Sequence, residues 1–241
     1  MGRTLVRMLA IVAIGLSGSG CTGNGGTTDA VAEPSSPQPS PTEEAAPIPE
    51  GQSLMDPGTY AAETEPGITL TTTSPWYGAA NVPGFVVFGQ LDRPPYAELY
   101  LLNLDEVVRD PGEPGNPGNL RPAPEGILDW LVGDAGMEVV GEMSQTEIDG
   151  YTGRQADLRV QRDAGCVPEG ARPFPQACLL FFPLSGEPHV FALAKGVTYR
   201  ITELPDVEGE AVTLMYLDWG RGYDERVTVA DEVVRSIEFA V

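Results

Sequence analysis

Three cysteines, one histidine and 35 acidic residues are the side chains of this chain best suited to chemistry, and their spacing excludes most of it. His189 is the single histidine and stands between Pro188 and Val190 at the start of an apolar run. It reads as a strand residue rather than a catalytic base, and multi-histidine zinc sites are excluded. No G-x-S-x-G elbow, Walker loop or G-x-G-x-x-G turn is present. Cys166 and Cys178 enclose the Pro-, Gly- and Ala-rich stretch Val167 to Ala177 and lack the C-x-x-C spacing that lowers a thiol pKa. A structural disulfide is expected between them, contributing about 3 kcal/mol in the chain-entropy account. Carboxylates remain, since glycoside hydrolysis needs only two of them, about 5 or 6.5–9.5 Å apart. Asp105, Glu106, Asp110, Glu113 and Asn116 supply hard oxygen atoms, but not at EF-hand spacing, so no metal site and no cofactor are expected. The segment best suited to recognition is Trp219-Gly220-Arg221-Gly222-Tyr223, with Trp76 and Tyr77 as a second aromatic pair that joins it. Two aromatics and an arginine on glycines suit sugar rings or a partner protein, whereas the same rings at a core edge would seal it.

Charge narrows the partners. The formal charge is −21. Without Arg3 and Arg7 it becomes −23, and removing Asp29, Glu33, Glu43, Glu44 and Glu50 leaves about −18 on the remainder. Such a surface repels nucleic acid and anionic headgroups.

The first twenty residues read as an export signal: basic Arg3 and Arg7, the apolar run Met8 to Leu16, then Ser17, Gly18, Ser19 and Gly20 ahead of Cys21. A run this short does not span a bilayer, which takes about 20 apolar residues. The order resembles a bacterial prolipoprotein signal, in which the cysteine receives a diacylglycerol and becomes the mature N-terminus. The resemblance implies lipidation at Cys21 and a lipid-anchored, extracytoplasmic location at the cell membrane. Gly18 and Gly20 also suit ordinary signal-peptidase cleavage and a secreted product. Residues 21–57 follow as a tether rich in Pro, Ser and Gly, with Val31 and Ile48 the only bulky apolar residues between Thr22 and Gly51. Such a segment buries too little apolar surface to offset its ordering entropy. Residues 58–241 are expected to form a single domain, long enough for one core.

Within that domain strands dominate. Ile68 to Thr73, Phe85 to Phe88, Ala97 to Leu104, Met137 to Ile148, Cys178 to Pro183, His189 to Lys195, Val197 to Leu204 and Ala211 to Asp218 have strand length and composition. Ala156, Leu158 and Val160 alternate with Asp157, Arg159 and Gln161, which predicts a strand after the hairpin turn Asp149-Gly150. The repeated Pro-Gly pairs between Arg109 and Pro124 predict a loop. A short helix is predicted from Pro124 to Val132. The stripe Ala230, Val233, Val234 and Ile237 predicts a final helix capped by Thr228, on which the chain ends. The expected class is α+β: a mainly antiparallel sheet packed by two or three helices, after the disordered tether.

Ile127-Leu128-Asp129-Trp130-Leu131, Asp149 to Leu158 and Val233-Val234-Arg235-Ser236-Ile237 resemble a domain carried by exported actinobacterial lipoproteins, similar in layout to the Mog1/PsbP type of α/β/α fold. The resemblance carries no catalytic residue over to this chain. The expected function is therefore a non-enzymatic envelope lipoprotein that binds an apolar molecule, a glycan or an envelope protein. The alternative is a carboxylate-dependent envelope hydrolase.

Overall fold

The computed structural model describes residues 45–90, 97–111, 119–161, 178–183, 190–219 and 222–240. Cys21, the leader, most of the tether, Cys166, Arg221, His189 and the Glu113 and Asn116 side chains lie outside them, and so does the disulfide.

In chain order the strands are β1 (Ala46–Pro47), β2 (Ser53–Met55), β3 (Gly58–Ala62), β4 (Gly67–Thr72), β5 (Trp76–Val82), β6 (Phe85–Gln90), β7 (Ala97–Leu102), β8 (Glu106–Val108) and β9 (Leu120–Pro122). Helix α1 (Ile127–Gly133) precedes β10 (Met137–Val139), β11 (Ser144–Ile148), β12 (Tyr151–Val160), β13 (Cys178–Pro183), β14 (Val190–Ala194), β15 (Thr198–Val207) and β16 (Glu210–Asp218). Helix α2 (Tyr223–Arg235) and β17 (Glu238–Ala240) close the series.

The central sheet runs β10-β12-β15-β16-β7-β6-β5-β2, with β11 also on β12, and its pairs are antiparallel. One core lies on each face. Tyr100, Leu102, Leu158, Tyr199, Ile201, Met215 and Leu217 face α1 and the β13-β14 hairpin in the first core. Phe88, Leu99, Leu101, Val212, Leu214 and Tyr216 face α2 and a small sheet, β1-β3-β4-β17, in the second. Strand β16 is thus covered on both sides, as its unbroken apolar run requires. The fold is α+β in class, dominated by sheet, with two helices among the described residues.

Several local expectations hold for local reasons. The Asp149-Gly150 turn has φ of 48° and 82° at its two central residues, the positive pair that a two-residue hairpin of matching twist requires. Ala156, Leu158 and Val160 are all buried. Lys195-Gly196 is a tight turn between β14 and β15.

Others are corrected. The folded region begins well before residue 58: Ala46–Pro47 pairs in parallel with Tyr60–Ala61, and Ser53–Met55 pairs with β5. Ile48 and Met55 are 2% and 1% exposed, while Leu54 between them in the chain stays outside, so core burial at two positions orders a segment whose composition alone favours disorder. Gly78 permits the fit, because a Cβ there would collide with the Pro49 carbonyl. The stretch Met137 to Ile148 is two strands, split by an irregular turn with Gly141 at φ 88°. Helix α1 starts at Ile127 rather than Pro124. The final helix starts at Tyr223, five residues before Thr228, whose hydroxyl bonds the Asp224 carbonyl from within the helix. Nor does the chain end on it: β17 follows and pairs with β4.

Candidate functional site

Alternation along β5 and β16 divides the aromatic residues singled out above. Trp76 sits in a strand, is 0% exposed and packs on Phe88 at 5.2 Å between ring centroids in the second core. This corrects its assignment to the recognition surface: a side chain sealed between two sheets offers no face to a ligand. Tyr77, one residue on, points to the opposite face. Trp219 packs against the first core and Tyr223 against the second, so they too face opposite sides of the central sheet. The five residues do not form one surface. Tyr77 and Trp219 share a face; Tyr223 belongs to the other; Arg221 lies outside the described residues.

On the first face, Tyr77, Gly89, Glu98 and Leu217 are consecutive partners across β5, β6, β7 and β16. Gly89 has no side chain, and the Tyr77 ring occupies the space a Cβ would need. The ring lies over the backbone of β6 and reaches Glu98: its Oη donates to Oε1 at 3.1 Å. Tyr100 Oη donates to Oε2 of the same carboxylate at 2.6 Å. Burial pushes the Tyr100 phenol well above its ordinary pKa, and the Glu98 charge adds to the shift. Tyr100 in turn packs edge-on against Phe191 at 5.1 Å and Phe85 at 6.1 Å. Trp219 follows Leu217 by two residues on the same face, diagonal to Glu98 in the strand register. The result is a part-buried carboxylate gripped by two buried phenols, with Trp219 on the same face of the sheet. Sequence patterning flagged Tyr77 and Trp219 but missed Glu98 and Tyr100. The available signal was a single charge inside the apolar run Ala97–Leu102, a strand covered on both faces.

The opposite face, at the same end of the sheet, carries arginine–carboxylate pairs. Arg200 binds Asp157 through Nε at 2.8 Å and Nη2 at 3.0 Å, and reaches Asp231 of α2 through Nη1 at 2.6 Å. Burial opposes the Arg200 charge, but these hydrogen bonds outweigh it and hold its pKa above the usual value. Arg226 pairs with the buried Asp218 at 3.2 Å. Burial, then neighbouring carboxylates, push the phenols of Tyr216 and Tyr223 upward. Near α1, Arg154 grips Asp129 in a two-point pair at 3.0 and 2.9 Å and Glu203 through Nε at 2.7 Å. The other Glu203 oxygen accepts the Leu128 amide at 2.9 Å, fixing the start of α1. Hydrogen bonding to Arg154 lowers the pKa of Asp129. These pairs tie the helices to the sheet, a fastening task. Among the described residues no group of three or more His, Cys, Asp or Glu is arranged to hold a metal.

No family model matches the chain. No curated protein matches it either. Among solved structures it is similar to a crystal structure from Bacteroides thetaiotaomicron VPI-5482, at 10% identity and a TM-score of 0.37, over 78% of this chain and 50% of the other. The chain thus spans about half the length of that protein. It is also similar to the solution structure of cyanobacterial PsbP (CyanoP) from Synechocystis sp. PCC 6803, at 14% identity and a TM-score of 0.39, over 82% and 99% of the two chains. Neither likeness is strong enough to carry an argument about function.

Proposed function

We propose that the chain is a non-enzymatic binding domain, carried at the cell envelope on a lipid at Cys21, that takes a polar ring-bearing ligand such as a glycan. The observation that carries this reading is the Glu98 patch. A part-buried carboxylate held by the buried phenols of Tyr77 and Tyr100 provides a fixed acceptor, and the half-buried Trp219 on the same face provides an aromatic ring, the two elements with which proteins bind sugars. Envelope location rests on the leader and Cys21 in the sequence. Among the described residues no helix is long and apolar enough to cross a membrane.

The test is calorimetric titration of the chain with defined mono- and oligosaccharides, with the ligand recovered and weighed by mass spectrometry. Binding that leaves the sugar intact and weakens in Trp219→Ala supports the proposal. Cleaved sugar makes the protein a hydrolase, and binding indifferent to Trp219 moves the site elsewhere. Mass spectrometry of protein extracted from its own membrane tests the anchor. A chain beginning at acylated Cys21 is expected, and an unacylated chain overturns that part.

A further inference from the structure

Three large hydrophobic side chains stand exposed among the described residues, and two of them lie at one edge of the central sheet. Leu54 of β2 is 61% exposed, and Val82 of β5 is 36% exposed. β2 ends the strand order of that sheet, so one side of its backbone has no strand partner among the described residues. Leu54 stands opposite Tyr77, and Val82 opposite Phe85, on the face of the first core. A single exposed leucine elsewhere would call for no explanation. Edge strands, however, are commonly protected by lysine at the outward position, and this one presents leucine.

The edge is held in place before anything pairs with it. Met55 is 1% exposed and anchors the strand in the second core. Ser53 Oγ donates to the Glu50 carbonyl at 2.7 Å, across a tight turn in which Gly51 and Gln52 have φ of 68° and 62°. A segment already ordered loses little conformational entropy on binding. Two carboxylates flank it. Glu50 and Asp56 are exposed, and neither has an ion-pair partner among the described residues. A second copy of the chain, with a formal charge of −21, is repelled from this edge. Pairing over three residues also buries far less than the ~1,200–2,000 Å² of a stable protein–protein interface.

We infer that β2 is a docking edge for an extended peptide segment of a partner protein, added as a further strand, apolar where it faces Leu54 and basic at both ends. Backbone hydrogen bonds supply the affinity, Leu54 sets the register, and Glu50 and Asp56 select for positive charge. This goes beyond the sugar-binding role proposed above and does not depend on it.

The experiment titrates the full chain calorimetrically with the blocked peptide Lys-Lys-Thr-Leu-Thr-Lys-Lys. Two further peptides serve as controls: one with glutamate in place of every lysine, and one N-methylated at its three central amides. The first reverses the charge; the second keeps charge and side chains but cannot pair as a strand. The basic peptide is expected to bind at one copy per chain and to slow amide exchange at Ser53 to Met55. Each control should bind at least about tenfold more weakly, the scale of two flanking ion pairs or of the lost backbone hydrogen bonds. Leu54→Lys, at a surface position, should leave the thermal melt unchanged and weaken the basic peptide by at least about tenfold as well. Equal binding of the N-methylated peptide overturns strand addition and reduces the effect to attraction between charges. Binding indifferent to Leu54→Lys overturns the assignment to this edge. No binding of the basic peptide, in a chain shown to be folded by its melt, overturns the proposal. So does a dimer in sedimentation that Leu54→Lys dissolves, since the occupant is then a second copy.

Discussion

Replacing Ile48 with alanine tests whether the residues before Gly58 belong to the fold. The side chain is 2% exposed and lies in the second core with Met55, Trp76 and Phe88. The substitution removes three carbons; at about 0.8 kcal/mol per buried methylene this costs roughly 2.4 kcal/mol of transfer free energy. A cavity left by incomplete relaxation raises the total to about 3 kcal/mol. In a compact unit spanning Glu43–Val241 that loss lowers the melting temperature by about 6–12 °C. Urea titration followed by far-ultraviolet circular dichroism measures the free energy, and scanning calorimetry measures the temperature. The m-value should stay constant, since the same surface is exposed on unfolding. Gly78→Ala should act in the same direction, because its Cβ drives against the Pro49 carbonyl. A loss below about 0.5 kcal/mol for Ile48→Ala, the range of surface substitutions, would refute the claim that this strap is part of the core.

Other expectations concern the fastenings. Gly153→Ala places a methyl against the Glu203 carbonyl and the Leu204 side chain, and should destabilise by about 1–3 kcal/mol in thermal melts. The pKa of Asp129 is lowered in the fold by Arg154. Its stabilising contribution is therefore present above the unfolded value of about 3.9 and is lost as pH falls through the lower folded value. Carboxyl NMR titration should show Asp129 returning toward the ordinary range in Arg154→Met. The raised phenols of Tyr100, Tyr216 and Tyr223 set the opposite limit. Their contribution is complete below the unfolded pKa of about 10 and falls as pH rises past it, so unfolding above about pH 10 should coincide with phenolate absorbance at 295 nm. Phenolate signal from all tyrosines well below the unfolding pH would contradict this.

Local pattern was enough to read much of the scaffold. Asp-Gly at 149 and 150 sets a turn because two positive φ angles are tolerated there. The alternation through Ala156, Leu158 and Val160 marks a half-buried strand because side chains change face at every residue. Ala230 and Val233 mark a helix that buries one side, and Ile237, the last residue of the stripe, is buried just beyond its Ser236 C-cap. Ends were less legible. Capping chemistry pointed to Thr228, whereas the helix runs back to Tyr223 behind a Gly222 cap at φ 121° with no side-chain hydrogen bond to announce it.

What the sequence by itself determined is the class: a strand-rich α+β chain, strongly acidic, with one histidine and three cysteines. Composition and short-range periodicity carry that information because each depends on neighbours within a turn or two. Tertiary structure decided the site. Trp76 and Tyr77 are adjacent in sequence yet face opposite sides of the sheet, whereas Tyr77 and Glu98 come from distant strands and meet through strand register, with Trp219 on the same face. Among the described residues the same register gives Glu98 two phenol donors and gives arginines to Asp157, Asp218 and Glu203. Ile48 entered the core for a similar reason, since a lone apolar residue in a polar stretch is ordered only when a distant sheet provides a place to bury it.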